Sequence, residues 1–142
     1  MTDPSILLMF VEDLAKFIGT PAIVADTKCP NVLVLQAGEW NNLVPPGIGI
    51  FLSTPEAPKR NVDGAFNIWD WGIGVYIASA PGVNKTEGLL FCFTAASAIK
   101  SALEFSNAFY DLPLDVNEPI TIHANDNSST VVSLNYAKNF PL

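Results

Sequence analysis

The sequence predicts an α+β fold: one mixed, mainly antiparallel sheet of four to five strands, with an N-terminal helix and one long helix packed on it. Three observations carry this. Apolar residues recur at helical spacing between Leu7 and Ile18, large residues alternate strictly over 68–78, and a long helical stripe begins near Thr86. The resulting order is helix, three strands, long helix, two strands, in a single domain spanning 1–142.

Thr2-Asp3-Pro4 reads as a helix start, with Asp3 as N-cap and Pro4 in the first turn. Leu7, Phe10, Val11, Leu14, Phe17 and Ile18 form its apolar face, and Gly19-Thr20-Pro21 stops the run. PNVLVLQAG (30–38) is a short apolar strand with both faces expected to be buried, and GIGIFLS (47–53) is a second, entered through Pro45-Pro46. STPEAPKRNVDGA, from Ser53 to Ala65, is rich in proline, charge and turn formers and predicts a long exposed hairpin loop.

The strand after it is the most regular feature of the chain. Trp69, Trp71, Ile73, Val75 and Ile77 fall on one face, and Ile68, Asp70, Gly72, Gly74, Tyr76 and Ala78 on the other. The first set is the expected core face, and the strand is expected to be central. Glycine inside a strand weakens it and marks close backbone approach. The glycine face is therefore expected either to receive the alanine side of the long helix or to lie against another protein, with the helix contact as the ordinary solution.

Pro81-Gly82 turns the chain, and Asn84 with Glu87 resembles a capping box. The long helix is expected from Thr86 to about Tyr110. Leu89, Cys92, Phe93, Ala96, Ile99 and Leu103 form one stripe, and Ala95, Ala98 and Ala102 an adjacent side. DLPLDVNEP (111–119) is a linker, and ITIHA (120–124) and TVVSLNYAKNF (130–140) are two final strands joined by the polar turn NDNSS.

Composition narrows the function. The net charge is −7, charged residues make up 15% against about 25% in an average soluble domain, and prolines number 11. The seven Lys and Arg are scattered, so the clustered positive charge that tight nucleic-acid binding requires is missing. Cys29 and Cys92 have no metal-type spacing and read as free thiols in a reducing compartment. The N-terminal stretch has no basic region and no segment is long enough to span a membrane. These features predict a cytosolic product in which the sequons at Asn84 and Asn127 carry no glycan.

No nucleophile elbow, zinc-protease motif, Walker loop or dinucleotide fingerprint occurs. His123, the one histidine, alternates against Ile120 and Ile122, which points it away from the core and predicts an exposed, unpartnered side chain. The expectation is no catalytic residue, no metal and no cofactor. Trp40, in the polar setting GEWNN, is either an anchor for a partner's pocket or a lid on the core. The arm containing Pro55, Pro58, Lys59 and Arg60 is expected to dock on a neighbouring subunit or ring, because loops of such length are usually functional or disordered.

The succession of N-terminal helix, PNVLVLQAG, second strand with long hairpin, IWDWGIGVYIAS, TEGLLFCFTAASAIKSALE and a strand pair ending VVSLNYAKNF resembles bacteriophage tail terminator (tail-completion, neck) proteins over roughly residues 3–140. The resemblance is one of order, length and pattern. It implies a virion structural protein, assembled in the host cytoplasm as a six-subunit ring that caps the tail tube and offers a docking surface to the head connector. It implies no catalytic residue. DNA would pass through such a ring without specific binding, and a −7 subunit repeated around it would focus negative potential in the channel. Asp111, Asp115, Glu118 and Asp126 are the candidate acidic lumen residues. The alternative from another class is a small ligand-binding or enzymatic α+β domain with a cleft near His123 and Asp70.

Overall fold

The computed structural model describes residues 5–35, 42–53, 59–60, 67–123 and 129–141, with side chains for 5–35, 42–53, 71–123 and 129–138. The elements in chain order are α1 (Ser5–Ile18), α2 (Pro21–Thr27), β1 (Asn31–Leu35), β2 (Gly47–Leu52), β3 (Lys59–Arg60), β4 (Asn67–Ala78), α3 (Lys85–Glu104), β5 (Ile120–His123) and β6 (Val131–Pro141). The sheet runs β1-β2-β4-β6-β5, with the two-residue β3 paired to β4 off this path. Among the described residues only the β1–β2 pair is parallel; every other strand pair is antiparallel. The fold is α+β, as expected, and β4 is the central strand.

Register places one residue set on the helix side. Ile50 pairs with Val75, Val75 with Leu134, and Ile77 with both Ile48 and Val132. All of these side chains are fully buried, and so are Val11, Leu14 and Ile18 of α1, and Cys92 and Ile99 of α3. At about 25 cal/mol per Å² of apolar area removed from water, this dry layer is the main source of stability. Phe109 closes one end, packed edge-on against Phe10 with ring centroids 5.4 Å apart and tilted against Phe17 at 5.3 Å. The Lys138 ammonium sits 4.8 Å from the centre of the Phe10 ring, a cation–π contact that caps the same end.

Several expectations are corrected. Among the described residues there are three helices rather than two. Pro21 does not merely stop α1; it opens α2, because proline at N1 lacks only an N–H that the first turn leaves unpaired anyway. Ile23 and Thr27, one helical turn apart, point inward, and α2 ends on Lys28 in a left-handed conformation with φ 59°.

The long helix stops at Glu104 rather than near Tyr110. Ser106 turns the chain instead, its hydroxyl accepting from the N–H groups of Ala108 and Phe109 at 3.1 and 3.3 Å, the local bonding by which serine competes with helix. At its start, Asn84 Oδ1 accepts from the Glu87 N–H at 2.8 Å, as the capping pattern predicted.

β1 is an edge strand with Leu33 39% exposed, so its two faces are not both buried. Its expected continuation through 38, and the Asp3-Pro4 cap, lie outside the described residues. The hairpin loop after β2 is not wholly loop, since Lys59 pairs with Ile68 and Arg60 with Asn67.

The glycine face does not meet the long helix. α1, α2 and α3 all lie on the Ile/Val side, and the glycines look the other way. The Tyr76 ring folds down over Gly74, and Ser53, whose hydroxyl donates to the Gly72 carbonyl at 3.1 Å, fills the space above Gly72. A Cβ at either glycine would collide with these side chains. The close helix–sheet approach exists, but the helix supplies its glycine. A Cβ on Gly88 would overlap the Thr130 hydroxyl and lie 2.8 Å from Thr130 Cβ and 3.3 Å from Ser79 Oγ.

Candidate functional site

The sheet face turned away from the helices carries a chain of hydrogen-bonded polar side chains. Near the β1–β2 end it is partly covered by a small apolar cluster of Leu35, Leu43 and Ala78, with Phe51 and Val131 packed on it. Toward β5 it becomes polar. Tyr76 stands between two rings, Phe51 at 6.3 Å in an edge-on arrangement and His123 at 5.0 Å with a 38° tilt.

His123 is on this face, as alternation predicted, but it is neither unpartnered nor freely exposed. Its Nε2 lies 2.9 Å from the hydroxyl of Ser133, which is fully buried. The Ser133 hydroxyl donates to Asn135 Oδ1 at 2.9 Å, and Asn135 Nδ2 donates to the Glu118 carbonyl at 2.9 Å and to Thr121 Oγ1 at 2.7 Å.

This chain determines the histidine tautomer. A carbonyl can only accept, so Asn135 must present its NH₂ to Glu118 and its oxygen to Ser133. The serine's single proton is then committed to Asn135, and its oxygen must accept from His123 Nε2–H. Nδ1 is left as a lone-pair acceptor. Burial lowers the His123 pKa below its ordinary 6.5, against the opposing pull of Glu118, so the ring is neutral near pH 7. An oriented neutral imidazole can accept a hydrogen bond or a proton. No group of three or more metal-type ligands stands near it or elsewhere among the described residues.

The thiols offer no second centre. Cys29 and Cys92 are fully buried and unbonded to each other. Burial, with the neighbouring Cys92, pushes Cys29 up to about 12, and burial pushes Cys92 up to about 11. Both therefore stay protonated and unreactive. Cys92 Sγ instead lies 3.4 Å from the carbonyls of Ile77 and Thr130, where it links α3 to the sheet.

The residues expected to mediate assembly are only partly brought into view. Trp40, Pro55, Pro58 and Asp126 lie outside the described residues, as do the side chains of Lys59, Arg60 and Asp70. Asp111, Asp115 and Glu118 lie on the segment leading into β5, with Asp111 and Glu118 exposed. Asp115 also has local work: its Oδ1 accepts from the N–H groups of Asn117 and Glu118 at 2.8 and 3.2 Å.

Sequence reasoning missed a set of exposed apolar side chains. Ile6, Leu8 and Met9 on α1 are 49%, 47% and 59% exposed while Leu7 between them is buried, so the first turns of this helix are apolar all round. Leu90 and Phe93 on the outer side of α3, and Phe105 and Tyr110 at the corner after it, are also exposed. Ile120 and Ile122 lie on the helix side of edge strand β5, beyond the cover of the helices, and stay 37% and 54% exposed. The signal was available in ILLMF, which has no polar residue on any side of the helix. No helix of the described residues is long and apolar enough to cross a membrane. No protein-family model matches this chain, and a search of curated proteins finds no similar sequence.

Proposed function

We propose that the chain is a structural subunit of a bacteriophage neck, assembling as a ring, with six subunits in the arrangement its pattern resembles, that caps the tail tube and joins it to the head connector. The observation that supports this best is the all-round apolar start of α1. A helix that is hydrophobic on every side belongs in an interior. Here one side is covered by the sheet and Ile6, Leu8 and Met9 are left for a neighbour. A stable interface buries about 800 Å² on each partner, and this turn with the arm around Pro55, Pro58, Lys59 and Arg60 would supply a good part of it. Trp40 is a further anchor in this reading, and Asp111, Asp115, Glu118 and Asp126 keep the DNA channel negative.

The test is mass in solution together with negative-stain imaging, alone and with tail tubes. The wild type should form rings that cap tubes. Met9→Asp, which places a charge on an already exposed position, should give a folded monomer that does not. A wild-type chain that stays monomeric and ignores the tubes overturns the reading.

One observation favours the second reading, a ligand-binding or enzymatic domain: the Nδ1 of His123, which has no hydrogen-bond partner among the described residues, beside Tyr76. That reading requires a metabolite whose binding shifts the His123 resonances. Rings that assemble and function normally with His123→Ala remove it.

A further inference from the structure

The last strand of a sheet leaves a row of N–H and C=O groups unpaired, and native proteins blunt such edges with charge, proline or a covering element. This sheet ends in β1 on one side and β5 on the other. Neither NVLVL nor ITIH contains Lys, Arg, Asp, Glu or Pro.

The ladders determine which groups face outward. In an antiparallel pair, directly bonded residues alternate with unbonded ones. The Asn135 N–H donates to the Pro119 carbonyl at 2.9 Å, so the next bonded pairs are Thr121 with Ser133 and His123 with Val131. Ile120 and Ile122 therefore turn their N–H and C=O groups away from β6. At the other edge the Ser53 N–H donates to the Gly72 carbonyl at 2.8 Å. That phase directs Gly47, Gly49 and Phe51 toward β4, and Ile48 and Ile50 toward β1. Asn31, Leu33 and Leu35 answer them, which leaves the main-chain groups of Val32 and Val34 pointing outward.

The side chains match in the same way. Val32 and Val34 align with Ile48 and Ile50, and Ile120 and Ile122 with Leu134 and Val132. All four of these neighbours are fully buried on the helix side. Each edge thus offers two β-branched residues on the helix side with their backbone groups outward. Strand direction also fits: it is kept from β1 to β2 and reverses at β4, β6 and β5, so β5 runs opposite to β1. A second copy set beside the first, in the same orientation, brings its β1 antiparallel to β5.

The helices extend this match. A Cβ on Gly19 would lie 3.7 Å from Val32 Cβ, so the flank of α1 that carries Gly19 and, three turns earlier, Leu8 overlooks β1. On α3, Lys100 and Glu104 line a notch with Leu114 and Tyr136 on the β5 side of β6, and Phe93, two turns before Lys100, shares that flank. Leu8 and Phe93 are both exposed, and the strand pairing brings them over the same seam.

We propose that the free edge of β5 takes β1 of a second copy of this chain as an added antiparallel strand, head to tail, with Ile120 opposite Val34 and Ile122 opposite Val32 of the next copy. Such a contact uses different surfaces on the two copies and propagates into a ring or a filament. It rests on the ring reading for the choice of a copy as partner, while the strand pairing has its own readout.

The test is cross-linking. Val32→Cys and Ile122→Cys are made in separate chains, mixed and oxidised mildly. Residues in a bonded antiparallel pair have Cα atoms about 5.5 Å apart, within disulfide reach, and the native Cys29 and Cys92 are fully buried. The mixture should give a mixed dimer, and neither variant should cross-link alone. Ile122→Pro removes an N–H that has no partner among the described residues, so it should fold and associate about tenfold more weakly. The proposal is overturned if no mixed dimer forms, if Ile122→Cys links to itself, or if folded Ile122→Pro assembles like the wild type. Should Ile122→Pro fail to fold, the cross-link decides alone. Rings that cap tubes without the mixed dimer overturn the pairing and leave the ring reading standing; mixed dimers in open chains that never close support the pairing and remove the ring.

Discussion

The two faces of the sheet are built from the same strands by opposite means. On the helix side, Ile73, Val75 and Ile77 of β4 and Val132 and Leu134 of β6 are sealed under α1 and α3, with almost no surface left. On the other side the same two strands carry Gly72, Gly74 and Tyr76, and Ser133, Asn135 and Ala137. The first face is held by apolar area, which is strong but non-directional. The second is held by a hydrogen-bonded chain from His123 to the Glu118 carbonyl, which is weaker but accepts only one register. Burial makes the sheet stable, and the polar chain specifies where β5 sits on β6.

The largest effect should come from the apolar side. Ile73→Ala leaves a cavity in the dry layer and should cost about 2–5 kcal/mol in urea unfolding. An unchanged midpoint would mean that β4 is not the centre of the core.

A smaller loss is expected from the polar side. Ser133→Ala strands both His123 Nε2–H and Asn135 Oδ1, and should cost about 1–3 kcal/mol. Because the network is shared, combining it with Asn135→Ala should cost less than the two separate changes together. Strict additivity would mean that the hydrogen bonds act singly.

The smallest effect is on pH dependence. The His123 pKa is lower in the folded state than its ordinary 6.5, so the unfolded chain binds the proton more readily. Stability from the neutral ring is complete above 6.5 and is lost as pH falls through the folded pKa. Urea midpoints of wild type and His123→Gln measured from pH 5 to 8 should converge toward the acid end. Nitrogen shifts of the single histidine should report the Nε2–H tautomer; an Nδ1–H form would break the assignment of the whole chain of bonds.

The contrast between the faces also explains what was legible in the sequence. Strict alternation made β4 and its core face readable, because burial on one side imposes period two directly on the residues. The glycines were readable only as a sign of closeness. Whether Tyr76, Ser53 or a helix takes the space is decided by tertiary packing that leaves no mark at Gly72 or Gly74. α2 was hidden because proline ends one helix and begins another with equal ease. The His123 network was invisible along the chain, since Ser133 and Asn135 are on a different strand. A comparison of β5 with β6 could have found it, with Thr121 and His123 in the same phase as Ser133 and Asn135 of the neighbouring strand.

The pairing of β4 with β6 has a consequence in time. Ala78 pairs with Val131 and Ile68 with Pro141, so the loop closed by this ladder contains all of α3 and β5. Contacts so distant along a chain form slowly, because closure entropy must be overcome before burial repays it. The helix-side layer cannot seal until β6 has been synthesised. Until then β4 and α3 have their apolar sides only partly covered, because β6 forms the longest ladder with β4 and also packs on α3. Completion of the central layer therefore waits for β6, while α1 finds its cover earlier along the chain, on β1 and β2.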